Sequence, residues 1–217
     1  MAQENLKRGI FITFEGPEGC GKSTHARLLC DFLRRSSYDC LLTREPGGTR
    51  AGEEIRRILL HSDGVKLSDL AELFLFEAAR AEIVEELIRP GLAEGKVVLC
   101  DRFSDATVCY QGYGGGIDIK VIETLNSAAT GGLKPDLTML LDVNTVTGLK
   151  RAKRKGIDRM EKKELAYHKR VRAGYLKLAK KFPRRIKVIK VSGSIEDTQA
   201  LVRKEVERVI QRYKRAG

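Results

Sequence analysis

Gly16-Pro17-Glu18-Gly19-Cys20-Gly21-Lys22-Ser23 is the stretch that decides how the chain folds. It fits Gly-x-x-x-x-Gly-Lys-[Ser/Thr], a phosphate-binding loop, in the context that this pattern needs. Before it, Gly9-Ile10-Phe11-Ile12-Thr13-Phe14 is a short apolar run rich in β-branched and aromatic residues, which reads as a buried strand. After it, Thr24 to Arg35 carries Ala26, Leu28, Leu29, Phe32 and Leu33 at a helical period. The glycines let the backbone turn its N–H groups inward, and those donors with the helix N-terminus cradle nucleotide phosphates. Gly16, Pro17, Glu18, Gly19, Cys20, Gly21, Lys22, Ser23 and Thr24 are therefore expected around the phosphates of a nucleotide. Lys22 would reach the β/γ oxygens and the Ser23 hydroxyl would hold Mg²⁺.

Working outward, Asp39 to Thr43 reads as a second strand that runs into Arg44-Glu45-Pro46-Gly47-Gly48-Thr49, where Pro-Gly-Gly breaks regular structure. Helices are expected at Ala51 to Leu60 and at Leu70 to Arg89, the latter stopped by Pro90-Gly91. Lys96 to Asp101 is a third buried strand ending in an acid. Helical stretches at Ser104 to Gln111 and Ile119 to Thr130 lead to a fourth strand, Asp136 to Val143. Segments Val146 to Lys155 and Glu161 to Lys181 flank Gly156. A fifth strand, Ile186 to Val191, and a helix from Ile195 to Arg215 complete the pattern. Strands alternating with helices imply a three-layer α/β fold, with five parallel strands and helices on both faces. Ligands gather at the C-terminal ends of such strands. The Gly16–Ser23 loop, Arg44 and Asp101 all fall there.

At 217 residues the chain fits one domain with a substantial core. It has no apolar run of transmembrane length, and its short polar start does not read as a signal peptide. Cys20, Cys30, Cys40, Cys100 and Cys109 are scattered and odd in number, which points to free thiols in a reducing cytoplasm. His25, His61 and His168 lack metal-ligand spacing. The net charge of +12 is concentrated: Thr145 to Lys190 holds 18 Lys/Arg against 3 Asp/Glu. Such a surface fits a nucleic acid or a lobe closing over polyphosphate, and charge alone does not choose.

Several side chains carry candidate chemistry. Asp101 can face Mg²⁺ across from Ser23, or cap the helix that follows. Arg44 and Arg102 follow two different strand ends, where planar guanidinium forks match the oxygens of a second phosphate. Phe76 and Arg80, at i and i+4, share a helix face and can stack on and bond a nucleobase, though on spacing alone plain core is the better reading of Phe76. Thr107 and Gln111 form another such pair around Tyr110. Cys20 has either a lowered thiol pKa at the helix start or a passive packing role. The basic run Lys150-Arg151-Ala152-Lys153-Arg154-Lys155-Gly156 sits where a flap would close, or forms a solvated face.

Together these motifs resemble the bacterial thymidylate kinases over almost the whole chain. The resemblance rests on Phe14 to Thr24, the Thr43 to Thr49 loop, Gly52-Glu53-Glu54-Ile55-Arg56 and Phe76-Glu77-Ala78-Ala79-Arg80. It continues through Asp101-Arg102-Phe103, Tyr110-Gln111-Gly112 and a basic lid ending Asp158-Arg159-Met160-Glu161. It implies a single domain, with a lid at about 147–161, that transfers the γ-phosphoryl group of ATP to dTMP for dTTP synthesis. It implies Mg²⁺ as cofactor, a homodimer in the cytoplasm formed through helices such as Leu70–Arg89, and no nucleic-acid or membrane partner. It places Glu18 near the sugar 3′-hydroxyl and phosphate of dTMP, Arg44 and Arg102 on the acceptor phosphate, and Arg56 nearby. Phe76 would stack on thymine, with Arg80 toward O4, Thr107 and Gln111 at the base's polar edge, and Tyr110 crowding the sugar 2′ position. The Glu45-Pro46 bond would be cis. Gly19 stands where some relatives carry an arginine, which matches the type whose catalytic arginine is in the lid, here among Arg151, Lys153 and Arg154. Lys22, Arg102, Arg151, Arg154 and Glu18 form the expected catalytic set.

The alternatives are a kinase for another nucleoside monophosphate and a nucleic-acid-stimulated ATPase using the basic 145–190 region. A GTPase switch lacks its Asn-Lys-x-Asp signature.

Overall fold

A computed structural model describes residues 8–61, 65–153, 159–160 and 163–216. The chain runs β1 (Ile10–Glu15), α1 (Lys22–Arg35), β2 (Cys40–Arg44), α2 (Arg50–His61), α3 (Asp69–Ile83), a wide turn (Val84–Ile88) and α4 (Arg89–Ala93). It continues through β3 (Val97–Asp101), α5 (Ser104–Thr107), a second wide-turn segment (Val108–Gly114) and α6 (Ile119–Thr130). β4 (Leu137–Asp142), α7 (Thr145–Lys153), α8 (Leu165–Lys181), β5 (Ile186–Lys190) and α9 (Ile195–Ala216) follow. The strands form one five-stranded sheet in the order β2-β3-β1-β4-β5, and every neighbouring pair is parallel.

The sheet is buried on both faces, as a parallel sheet must be. Ile10, Ile12 and Phe14 of β1 point to one face with Leu29 and Leu33 of α1 and Val202, Val206 and Ile210 of α9. Phe11 points to the other, with Val98, Cys100, Ile83, Ile88 and Phe103. Beyond β4, Leu140 joins Tyr110, Val171 and Tyr175. This period-2 alternation fixes the register, because a slip of one residue would exchange the two faces. In that register Asp101 pairs with both Phe14 and Arg44. The functional strand ends therefore lie in one layer.

Two helical expectations need correction. The helix beginning at α3 does not stop at Pro90; the chain stays helical to Ala93. The wide turn at 84–88 shifts the hydrogen-bond ladder so that donorless Pro90 falls in the first turn of α4, where its missing N–H costs nothing. The expected helix Ser104 to Gln111 likewise widens after Thr107 and runs to Gly114. Widening turns extra side chains inward, and Thr107, Tyr110 and Gln111 are all buried. α8 begins at Leu165, and the first residues of the helix expected from Glu161 lie outside the described residues.

Candidate active site

A cavity of about 760 Å³ opens at the C-terminal ends of β1, β2 and β3, a size suited to small ligands. Its donor end is the Gly16–Ser23 loop. Gly16 has φ +139, and a Cβ there would lie 2.3 Å from the Leu141 carbonyl oxygen. Gly19 (φ +65) is packed so closely on α7 that a Cβ would lie 2.0 Å from the Gly148 carbonyl. The loop thus requires glycine both for its turn and for its contact with α7.

Lys22 is buried, and its Nζ donates to the carbonyls of Gly16 (3.2 Å) and Pro17 (3.0 Å) and to Cys20 Sγ (3.6 Å). Its ammonium is held at the loop's centre. Burial pushes the Cys20 thiol up, so the lowered thiol pKa considered from sequence is replaced by a packing role. The Ser23 hydroxyl donates to Asp101 Oδ2. These two hard oxygen ligands fit Mg²⁺, which takes one or two protein oxygens and completes its shell with phosphate and water.

Across the cavity, Arg102 adopts φ +74. Its backbone N–H bonds the Phe14 carbonyl at 2.9 Å. The guanidinium donates to Glu18 Oε1 (2.7 Å), Gly16 O (3.3 Å) and Tyr175 Oη (3.5 Å), and lies 4.7 Å from the Tyr110 ring centre. Tyr110 Oη also donates to Glu18 Oε1, at 2.7 Å. Burial raises the Glu18 carboxyl, but Arg102, Lys22 and the Tyr110 hydroxyl outweigh it and hold the pKa at about 2. Glu18 is thus an anion that orients Arg102. Behind it, burial and Asp105 push Glu15 up to about 8, even though Tyr175 Oη (2.7 Å) and the Phe103 N–H (2.7 Å) donate to it.

Arg44 is exposed at the rim and pairs with Glu53 at 3.2 Å. Arg56 donates to the Pro46 carbonyl at 2.8 Å, beside the cis Glu45-Pro46 bond. Arg44, Arg56 and Phe76 all line the cavity, as do Thr107, Tyr110, Gln111 and Arg151. Val191, Gly193 and Ser194, from the loop between β5 and α9, line it as well. Arg154 lies outside the described residues, as does part of the 147–161 segment.

Arg80 lines the same cavity. It is fully buried, and its N–H groups are committed to Glu45 Oε2 (2.9 and 2.7 Å), Glu77 Oε1 (2.9 Å), Asn126 Oδ1 (2.7 Å), Thr107 Oγ1 (3.2 Å) and the Phe103 carbonyl (3.2 Å). A guanidinium has five donors, and all of them are engaged in these bonds. Arg80 thus ties α3 to the loops after β2 and β3. Burial outweighs Arg80 at Glu45 and lifts that carboxyl to about 7.

A family model for thymidylate kinase matches residues 14–202. The chain belongs to the thymidylate kinase family. It is 48% identical over 200 residues to the thymidylate kinase of Roseiflexus sp. strain RS-1, covering 86% of this chain and 88% of the relative. It is 50% identical over 198 residues to that of Synechococcus sp. strain JA-2-3B'a(2-13), covering 91% and 94%. The thymidylate kinase crystal structure from Ehrlichia chaffeensis superposes with a TM-score of 0.76 at 37% identity, covering 92% of this chain and 99% of that one.

In this member of the thymidylate kinase family, sequence reasoning missed four residues that hold the site in place. Glu72, Asn126 and Tyr175 lie on helices whose apolar period conceals an inward polar atom. Arg159 stood among many lid cations, yet it bonds the Leu59 carbonyl (2.8 Å) and Glu72. For Tyr175 and Asn126 the one local signal was a polar group falling on the buried stripe of a helix.

Proposed function

We infer that the chain transfers the γ-phosphoryl group of ATP to dTMP, giving ADP and dTDP. The observation that carries this reading is the shared cavity. In it a phosphate-binding loop faces Arg102 and Arg44, with partly buried Phe76 and buried Thr107 and Gln111 beyond them.

The chemistry asks little covalent work of the protein. The second ionisation of a phosphate monoester lies near pH 6, so the attacking oxygen is already anionic at neutral pH. Catalysis is then alignment and charge compensation. Lys22 turns from the carbonyls of Gly16 and Pro17 to the β/γ oxygens. Loop N–H groups and the Ser23–Thr24 helix start hold the rest of the triphosphate. Arg102 and Arg44 hold the acceptor phosphate, with Arg56 beside them, and Arg102 keeps its aim through Glu18 and Tyr110. Phe76 stacks on the base, Thr107 and Gln111 meet its edge, and Tyr110 stands against the sugar. Ser23 and Asp101 would hold Mg²⁺, which when bound would screen the repulsion between the two phosphates.

The 147–161 segment acts as a lid over the single domain. α7 rests against the loop at Gly148, and Arg151 lines the cavity. Arg151 and Arg154 supply positive charge on closure, while water is excluded and ATP is protected from hydrolysis. Part of the basic region is already paired, Arg172 with Asp142 (2.6 Å) and Arg185 with Asp105 (2.6 Å), which favours a lid over a nucleic-acid track. Leu70 and Phe74 of α3 and Val121 of α6 are 47%, 50% and 44% exposed. These apolar residues support a homodimer formed through that side. The cysteines are free, which suits a cytoplasmic enzyme, and none of the described helices is long and apolar enough to cross a membrane.

The test is ATP labelled at the γ-phosphorus, incubated with dTMP and Mg²⁺. Label in dTDP supports the reading; label released only as inorganic phosphate overturns it.

A further inference from the structure

Glu72 lies on α3 behind the cavity wall and is almost fully buried. Its two oxygens have different partners. Oε1 accepts from the Gln111 amide nitrogen at 2.8 Å, and Oε2 accepts from the Arg159 guanidinium. Arg159 also donates to the Leu59 carbonyl at 2.8 Å, which holds it between α2 and α3. These bonds have only one possible polarity. A guanidinium only donates and an ionised carboxylate only accepts, whereas an amide can do either. Glu72 must therefore receive the NH₂ of Gln111. The Gln111 carbonyl Oε1 is left as the group this side chain offers to the cavity that it lines, and no described residue donates to it.

We propose that Glu72 is a specificity-determining residue that works through Gln111. By fixing the amide's sense, the relay from Arg159 through Glu72 to Gln111 makes the cavity wall an acceptor. An acceptor there suits a pyrimidine with a ring N–H between two carbonyls, as in thymine and uracil. It repels cytosine, whose ring nitrogen at that position bears a lone pair. Arg159 lies at the end of the lid segment, so lid anchoring and base reading share one carboxylate. The inference rests on the acceptor nucleotide occupying this cavity, as proposed above.

The relay makes an unusual prediction for Glu72→Gln. Arg159 can only donate, so it captures the oxygen of the new amide, whose NH₂ then faces Gln111. Gln111 must answer with its carbonyl and presents NH₂ to the cavity instead. The polarity of the reading edge is inverted with almost no change in shape.

The experiment measures kcat and KM for dUMP and dCMP, which differ at the base edge alone. It compares the unmodified protein, Glu72→Gln and the double variant Glu72→Leu/Arg159→Leu, which removes the buried pair as a unit and so leaves no stranded charge. Glu72→Gln should lower the dUMP:dCMP ratio of kcat/KM by about ten- to hundredfold, mostly through opposite movements of the two KM values. The double variant, with the amide free to turn, should lower the ratio in the same direction but less. A role confined to packing would weaken both substrates together. A ratio within about twofold of the unmodified protein in either folded variant overturns the proposal. If the unmodified protein phosphorylates neither dTMP nor dUMP, the failure lies with the reaction assigned above.

Discussion

Replacing Arg80 with methionine separates two roles for this residue, reading the base and tying the core. Arg80 has no free donor, and it bonds the buried carboxylates of Glu45 and Glu77 at 2.7 and 2.9 Å. Methionine fills similar volume but leaves both acids without their cation. Removing one partner of a buried pair costs about 3–5 kcal/mol, a large part of the ~5–15 kcal/mol that holds a domain folded. The urea midpoint should fall by roughly 1–2 M with the slope unchanged. Without the arginine, Glu45, already lifted to about 7 by burial, takes up its proton more readily, so the deficit should shrink as the pH is lowered. Restoring neutrality with Glu45→Gln and Glu77→Gln should recover most of the loss. Equilibrium unfolding followed by circular dichroism reads these midpoints. A loss under about 1 kcal/mol, accompanied by a many-fold rise in KM for dTMP alone, would refute the core-tie account and return Arg80 to the base.

Other outcomes follow from the same geometry. Glu15 and Glu45 have folded pKa values of about 8 and 7, above their ordinary 4.5. The folded state thus holds protons that the unfolded chain has released, and stability should fall as pH rises from about 5 to about 8.5. A urea midpoint that climbs over this range contradicts the assignment, and Glu15→Gln should flatten the upper part of the curve. Glu18 has the opposite sign: held at about 2, it contributes stability that is lost only as pH falls below 4.5 toward that value. Phe76→Ala should raise KM for dTMP by about five- to hundredfold, the usual worth of one base–aromatic stack, and leave KM for ATP unchanged; steady-state kinetics with each substrate varied decides. If the proposed homodimer forms through this side, Phe74→Glu should shift sedimentation from dimer to monomer, because a charge replaces a half-exposed apolar residue on α3. An unchanged sedimentation coefficient would move the interface elsewhere.

The sequence was most informative where chemistry forces both residue type and spacing. The Gly16–Ser23 loop could be read directly because its glycines, lysine and serine each answer one demand of a phosphate. The five strands could be read because burial on both faces leaves uninterrupted apolar runs. Pro90 misled, since a wide turn can realign the helical ladder around a missing donor, and no local pattern announces that realignment. Arg80 was legible only in part. Its spacing from Phe76 placed it correctly on α3, but its partners Glu45 and Asn126 lie 35 and 46 positions away. Where an arginine's donors go is decided by tertiary contacts. Glu72 and Tyr175 were silent on the same ground, each being a polar end on an otherwise apolar helical stripe.

The measurement that tests the central claim most directly is a competition. The protein is given ATP, Mg²⁺ and an equimolar mixture of dTMP, dUMP, dCMP and AMP, and the diphosphates formed are separated by ion-exchange chromatography. The account predicts dTDP as the dominant product, with ADP formed in equal amount by donor turnover. Turnover that ignores the monophosphates, or that needs DNA or RNA, would contradict it and make the basic 145–190 region the binding surface.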